Sequence, residues 1–322
     1  MMGDLIRVLP ALSGFFTIAV LIALGWLLAR RRFLTVEHRS MMSSLALYVA
    51  TPALMFVTME QADISRVFAR SVIASYGAIA VSGLVYISAT IVYFHHNLAD
   101  RTIGTLLSCY SNAGNLGIPV AAYALKDVTW MVPILLVQLV ILQPTALAIL
   151  DWQTAKRDGR RLPVAKLVSL PFRNPMTVGT LAGLVVNLVH RQVAAFTIPD
   201  FIFHPIDMLG GMAVPLMLLA FGISLCLDPK PAGGAQRTES WFVVGLKVIL
   251  QPLVAYVLAA WVLRLDPVAV RAITVIACLP PAQNTFIFAS KYNVRMVFAR
   301  DTTFRATIVA VISILVAATV LA

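Results

Sequence analysis

Apolar residues in this chain fall in long blocks separated by short polar stretches, without the two-residue alternation that marks a half-buried strand. A helix that crosses a bilayer takes about 20 residues. Ten blocks approach or exceed that length, and their approximate limits are Leu9–Ala29, Met41–Met59, Ser71–Phe94, Thr102–Leu125, Trp130–Leu150, Pro175–Val189, Pro205–Leu227, Trp241–Leu263, Val268–Lys291 and Thr302–Ala322. The pattern predicts an all-α membrane protein with ten transmembrane helices.

The fourth and ninth blocks differ from the others because polar residues, glycine or proline lie at their centres. The fourth contains SNAGNLGIP at residues 111–119, and the ninth contains LPPAQN at residues 279–284. Proline removes a backbone donor and crowds the preceding turn, and glycine weakens a helix by about 1 kcal/mol. We expect both helices to break near the middle of the membrane, with Gly117 and Pro119 setting the break in the fourth.

Two broken helices at corresponding positions are typical of a transporter's substrate site. Each break creates a helix N-terminus with free N–H groups and about half a positive charge, which favours an anion. The candidate binding residues are Asn112, Asn115, Gly117, Pro119, Gln143, Pro280, Pro281, Gln283 and Asn284. A single amide could instead only join helices, a contact worth about 0.6 kcal/mol, and for Gln143 both interpretations stay open.

A polar stretch at residues 151–174 divides the ten helices into two groups of five, at residues 1–150 and 175–322. Thr51-Pro52 lies inside the second helix and Val214-Pro215 inside the seventh, and the interrupted fourth and ninth helices correspond in the same way. Because each half has an odd number of spans, the two halves are predicted to be inverted repeats.

Composition agrees with a membrane protein, since 60% of the residues are hydrophobic and 12% are charged. A soluble protein carries about twice that share of charged residues. The net charge of +11 could suggest a nucleic-acid partner, but Lys and Arg lie in the loops between apolar blocks, where they set membrane orientation. Their distribution predicts a multi-pass protein of the cell inner membrane, with residues 151–174 in the cytoplasm, both termini outside and no nucleic-acid partner.

Charged groups are nearly absent from the spans. No Asp or Glu lies well inside one, and Lys247, near the cytoplasmic end of the eighth, is expected to extend its ammonium to the interface. Because proton-coupled carriers usually keep an intramembrane carboxylate, we expect uniport or exchange. The spans also lack paired Asp, Ser with His, and His-Glu-x-x-His, so we expect no enzymatic activity, no cofactor and no metal.

The broken helices resemble those of the auxin efflux carrier family, which includes bacterial members and the plant PIN-type carriers. The similarity rests on SN at 111–112 with GIP at 117–119, and on LP at 279–280 with FIFASKYN at 286–293. TPAL at 51–54 and the ten-helix layout also fit the family, so the resemblance covers the whole chain.

The resemblance implies a fold like that of bile-acid symporters and sodium–proton antiporters, with two inverted five-helix repeats whose fourth and ninth helices cross at their breaks. Helices 1, 2, 6 and 7 would form a scaffold, and helices 3–5 and 8–10 a mobile transport unit. The implied activity is elevator-type transport of a small organic anion such as auxin, malate or malonate. A homodimer through the scaffold helices is one possible assembly.

Individual residues match the family's functional positions. Asn112, Pro119, and Pro280 or Pro281 correspond to the crossover residues, and Gln143 resembles a polar position near the support site. The third span, Ser71–Phe94, lacks the acidic residue of the plant carriers, which puts proton involvement in doubt.

Two other functions stay open at this point. A sodium-coupled bile-acid-type symporter would need carboxylate and carbonyl oxygens around its ion, and the spans offer no carboxylate. A non-transporting membrane sensor would usually carry a soluble signalling domain, and no polar segment here is long enough to fold as one.

Overall fold

The computed structural model describes residues 2–62, 70–158, 175–193, 198–227, 236–282 and 284–321, with side chains described from residue 16 onward. Within these ranges the chain forms twelve helical segments, which are α1 Met2–Arg30, α2 Val36–Gln61, α3 Ser71–Phe94, α4 Leu98–Cys109, α5 Ala113–Leu125, α6 Val128–Lys156, α7 Pro175–Gln192, α8 Asp200–Leu227, α9 Arg237–Val262, α10 Pro267–Ala277, α11 Asn284–Lys291 and α12 Met296–Val320.

The regular structure in the described ranges is helical apart from one isolated bridge between Ser111 and Pro281, which confirms the all-α prediction. Six of the helices, α2, α3, α6, α8, α9 and α12, are long and apolar enough to cross a membrane. The fourth predicted span is divided into α4 and α5, and the ninth into α10 and α11. Both predicted interruptions are therefore present.

Four helices widen into a π-helical turn just ahead of a proline. The turns cover Ala46–Ala50, Ala113–Gly117, Val137–Leu142 and Leu246–Leu250, and each proline follows two residues later, at Pro52, Pro119, Pro144 and Pro252. Proline donates no backbone hydrogen bond, and its ring crowds the carbonyl four residues earlier. The wider turn relieves this crowding without ending the helix, which is why these proline-containing blocks stay helical.

Contacts along the chain define two compact units. The first unit comprises residues 1–67, 114–133 and 171–229, and the second comprises residues 68–113, 134–170 and 230–322. The first unit thus contains α1, α2, α7 and α8 together with α5 from Gly114 onward. The second contains α3, α4, most of α6, and α9 to α12.

In the first unit, α7 packs on α2 through two glycines spaced four residues apart. A Cβ atom at Gly179 would overlap the backbone carbonyl of Pro52, and one at Gly183 would overlap that of Phe56. Small residues at this spacing let two helix backbones approach closely, which is how helices associate in lipid. The glycines therefore set the distance between α2 and α7.

Gly183→Ala is expected to destabilise the protein by about 1–3 kcal/mol, because overpacking forces α7 away from α2. The matched control is Gly211→Ala in α8 of the same unit, where a Cβ would meet nothing within 4 Å. Thermal unfolding in detergent should show a lower Tm for Gly183→Ala and an unchanged or higher Tm for Gly211→Ala. Equal Tm values for the two variants would mean that close α2–α7 packing does not limit stability.

The second unit contains a buried ion pair between Glu239, in the first turn of α9, and Arg295, which precedes α12. Arg295 donates to both carboxylate oxygens, and the Nη1–Oε1 distance is 2.8 Å. Oε1 of Glu239 also accepts from the Tyr86 hydroxyl at 2.7 Å and lies 3.0 Å from Nε2 of His96. Both charged side chains are nearly inaccessible, with exposures of 6% for Glu239 and 5% for Arg295.

Electrostatics keeps this pair charged. Burial alone would lower the pKa of Arg295, but the hydrogen bonds and negative charge of Glu239 outweigh it and hold that pKa above its ordinary value. This one carboxylate links four segments of the second unit, namely α3, the turn before α4, the first turn of α9 and the start of α12.

Candidate functional site

The two broken spans pair through their backbones inside the second unit. The Asn112 N–H donates to the Pro280 carbonyl at 2.8 Å, and the Ala282 N–H donates to the Tyr110 carbonyl at 3.0 Å. Ser111 and Pro281 face each other between these two bonds, as an antiparallel bridge. Because backbone groups freed by a helix break need partners inside a membrane, this pairing is what lets both helices stop there. We call residues 110–112 and 280–282 the crossover.

The break in the fourth span lies earlier than expected. The helix α4 ends at Cys109, Tyr110 is extended, and helical structure resumes at Ala113, so Gly117 and Pro119 lie inside α5. Pro119 is tolerated there because it enters the first turn of a new α-helical stretch after a π-helical turn. The expectation that Gly117 and Pro119 set the break was wrong. Pairing with residues 280–282 holds the extended backbone instead.

The amino group of a lysine lies at the crossover. Lys247 of α9 is 0% exposed. Its Nζ donates to Oγ of Ser111 at 2.9 Å, to Oε1 of Gln251 at 2.9 Å and to the carbonyl of Ala277 at 3.4 Å. All three acceptors are uncharged oxygens, and the ion pairs found among the described residues do not include Lys247.

The expectation that Lys247 reaches the membrane interface was wrong, and the helix start explains why. The helix α9 begins at Arg237, four residues before the predicted start, which puts Lys247 ten residues into the helix. At 1.5 Å per residue the lysine lies about 15 Å from the helix start. Lys247 therefore lies toward the middle of α9, and its side chain is buried against Ser111, Gln251 and Ala277 instead of extending to water.

Local structure offsets only part of the cost of burying this ammonium. Ala277 is the last residue of α10, and a helix C-terminus carries about half a negative charge. Such an end stabilises a cation by at most about 2 kcal/mol, whereas taking an ion out of water costs several kcal/mol. The site is therefore electrostatically suited to an additional negative charge.

A second set of polar groups surrounds Tyr110, the first residue of the crossover. The Tyr110 hydroxyl donates to Oε1 of Gln143 at 3.0 Å, and the Asn284 side chain is another of its hydrogen-bonding partners. Tyr110 itself is 2% exposed, whereas Asn284, at the start of α11, is exposed. Tyr110 thus connects the predicted residues Gln143 and Asn284, which are far apart in sequence.

The predicted site residues divide between the two units. Five of them belong to the second unit and lie at the crossover or bond to it, namely Asn112, Gln143, Pro280, Pro281 and Asn284. Three belong to the first unit, in α5, namely Asn115, Gly117 and Pro119. Gln283 lies outside the described residues.

Sequence reasoning missed Lys247, Gln251 and Tyr110 as parts of this site. A usable signal existed for the first two, because residues four apart share one face of a helix. A lysine and a glutamine on one face of an apolar span are costly unless they meet other polar groups. For Tyr110 the sequence carries no comparable signal.

Comparison with known proteins identifies the family of the chain. Residues 11–318 match the family described as "Membrane transport protein". A Rhizobium meliloti protein named "Putative malonate transporter" is 25% identical over 301 residues, which cover 91% of this chain and 90% of the relative. The "Uncharacterized transporter YfdV" of Escherichia coli is 23% identical over 289 residues, 88% of each chain.

A third relative is also named as a transporter. An "Uncharacterized transporter" of the archaeon Methanothermobacter thermautotrophicus is 26% identical over 308 residues, 92% of this chain and 94% of the relative. The family match extends over nearly the whole chain and includes both broken spans. The chain therefore belongs to the membrane transport protein family, the auxin efflux carrier family that its motifs predicted, and it is a membrane transporter.

Proposed function

We propose that this transporter is an elevator-type secondary carrier of a small organic anion, and that the anion binds at the crossover of the second unit. The observation that carries the proposal is Lys247, a buried lysine whose amino group has three neutral partners beside the paired breaks. An ammonium without a countercharge favours an anionic ligand, because a bound carboxylate supplies the missing charge.

Within this site each polar group has a separate task. Lys247 provides the charge, and the side chains of Asn112 and Asn284 provide directed hydrogen bonds to the carboxylate oxygens. Gln143 orients Tyr110, and Tyr110 in turn orients Asn284. Pro280 and Pro281 have no backbone N–H, so they leave no unpaired backbone donor of their own at the break. Asn115, Gly117, Pro119 and Gln283 stay predictions for the remainder of the substrate path.

Small carboxylates are the substrate class we propose, with malonate as the first to test. The name of the Rhizobium meliloti relative supports malonate, although the two chains are only 25% identical. A carboxylate also fits the chemistry, because its two oxygens accept several hydrogen bonds and carry the negative charge that balances a protonated Lys247.

An elevator mechanism needs one unit that carries the site and another that remains fixed. We propose that the second unit, with α3, α4 and α9 to α12, is the transport unit, and that α1, α2, α7 and α8 form the scaffold. Support comes from the compactness of each unit and from the Glu239–Arg295 pair, which would keep the transport unit rigid during movement. The same proposal includes ten spans arranged as two inverted repeats.

Flux measurements test the proposed function directly. Purified protein in proteoliposomes should exchange labelled malonate, malate or another small carboxylate across the membrane, while amines and neutral sugars are excluded. Lys291→Gln, which removes an exposed lysine of the same unit, is the control and should keep the flux. Absence of flux for every carboxylate in the panel would overturn the proposal.

The proposed orientation in the inner membrane has its own test. In a Cys226→Ser background, a cysteine at Asp158 should resist an impermeant thiol reagent in intact cells, because the basic residues of 151–174 keep that segment in the cytoplasm. A cysteine at Leu321 should be labelled. The reverse pattern would place both termini in the cytoplasm.

A further inference from the structure

Lys247 can be fully hydrogen-bonded in two protonation states, because one of its three partners can reverse its hydrogen bond. An ammonium donates three hydrogen bonds, which Ser111, Gln251 and Ala277 accept. A neutral amine donates two and has one lone pair. The oxygens of Gln251 and Ala277 can only accept, whereas the Ser111 hydroxyl can also donate to that lone pair. The site therefore accommodates the lysine with or without its proton.

The surrounding groups do not fix the charge of Lys247. The titratable groups that interact electrostatically with Lys247 are the thiols of Cys109, at the end of α4, and Cys278, just after α10, both 2% exposed. The helices packed on this part of α9 carry two carboxylates: Asp100 of α4, which is bonded to Asn97, and Asp301 of α12, which pairs with Arg300. On α9 itself, Glu239 pairs with Arg295. The α3 helix contributes Tyr86, which is bonded to Glu239. No carboxylate of the described chain pairs with Lys247.

We propose that Lys247 is neutral while the site is empty and takes up one proton when the anion binds, so that the carrier moves its substrate together with a proton. This inference rests on the proposed function, because the anion is what makes the charged state favourable. On binding, a proton from water adds to the Nζ lone pair and the Ser111 hydroxyl turns to accept. On release at the other side, the N–H bond breaks and the proton returns to water. No other bond changes.

The proposal replaces the expectation of uniport or exchange. That expectation rested on the absence of an intramembrane carboxylate and assigned Lys247 to the membrane interface. A lysine can take the same part as a carboxylate when it is buried without a countercharge, since burial disfavours its charged form and an adjacent anion restores it.

Proton uptake on binding is the direct test. Malonate, or the panel carboxylate with the largest flux, is added to the full-length protein in weakly buffered detergent at pH 8, where carboxylates are already ionised and exchange no protons. A pH-sensitive dye should report about one proton taken up per anion bound. Lys291→Gln should give the same value.

Two variants make the test specific to Lys247. Lys247→Arg keeps a permanent charge, so the anion should bind without proton uptake, and an imposed pH gradient should no longer drive accumulation in proteoliposomes. Ser111→Ala is a smaller change that removes the donor to the neutral amine. It favours the ammonium in the empty site, so fewer protons should be taken up per anion at pH 8, with full uptake only at higher pH.

The outcomes separate this inference from the proposed function. If the wild type binds or transports a carboxylate without taking up a proton, the proposed coupling is overturned and the proposed carrier function still stands. Lys247 would then be a permanent charge that stabilises the end of α10. If proton uptake is unchanged in both Lys247→Arg and Ser111→Ala, the proton binds to another group, and the proposed role of Lys247 in coupling is overturned. If no carboxylate binds or moves at all, both proposals fail together.

Discussion

Arg295→Ala is expected to destabilise the protein by about 3–5 kcal/mol, because it leaves the Glu239 carboxylate buried without its partner. Thermal unfolding in detergent should show a fall in Tm of roughly 10 °C. Arg264→Ala is a matched control, since Arg264 has the same left-handed backbone conformation as Arg295 but is exposed. Its Tm should change by little.

A second substitution shows whether the buried charge is the cause. In Arg295→Ala with Glu239→Gln, the unpaired carboxylate is gone, so the double variant should be more stable than Arg295→Ala alone. If the double variant instead loses the sum of the two single effects, then the pair acts through independent packing contacts and the electrostatic account of the second unit is incorrect.

Lys247→Met is expected to reduce carboxylate flux by about tenfold to more than a hundredfold, because it removes the positive charge opposite the bound anion, and each 1.4 kcal/mol of lost attraction corresponds to about tenfold. Methionine has a similar volume and no charge. The variant removes the desolvation cost of the buried amino group, which offsets the hydrogen bonds that Ser111, Gln251 and Ala277 lose, so Tm should change little. The comparison of Lys247→Met with Lys291→Met, measured for flux and Tm together, separates a binding role from a structural one.

A structural role would give the opposite pattern. If Lys247 mainly stabilises the end of α10 and the crossover backbone, Lys247→Met should lower Tm and leave the flux per folded molecule unchanged. That result would remove the positive charge from the proposed site and leave anion recognition to the amide side chains.

The sequence predicts the helices and the interruptions well, because both follow from local patterns. Apolar blocks define the spans, and clusters of glycine, proline and amides identify the two that break. It fails on the position of the first break, which was assigned to Gly117 and Pro119. The extended backbone at Tyr110 depends on pairing with residues 280–282, about 170 positions away in the chain, and no local pattern reports that partner.

The same limit explains the two charged residues whose environment was not foreseen. Lys247 was assigned to the interface because the eighth span was started at Trp241, whereas the helix begins at Arg237 and Lys247 is fully buried against Ser111 and Ala277. Glu239 lies just outside the predicted span, yet it is buried by Arg295, Tyr86 and His96 from three other segments. Burial of a charge depends on distant partners, which a single sequence does not show.

Substrate-induced thermal shift tests the central claim, that the crossover binds the anion. At a concentration about 100 times its Kd, a ligand stabilises a protein by about 2.7 kcal/mol. Malonate, or the panel carboxylate with the largest flux, should therefore raise Tm by several degrees in the wild type and in Lys291→Met. The shift should be lost in Lys247→Met and reduced in Asn112→Ala and Asn284→Ala, whose crossover hydrogen bonds from the Asn112 and Ala282 backbones remain. An undiminished shift in all three variants would contradict the account, because the anion would then bind elsewhere.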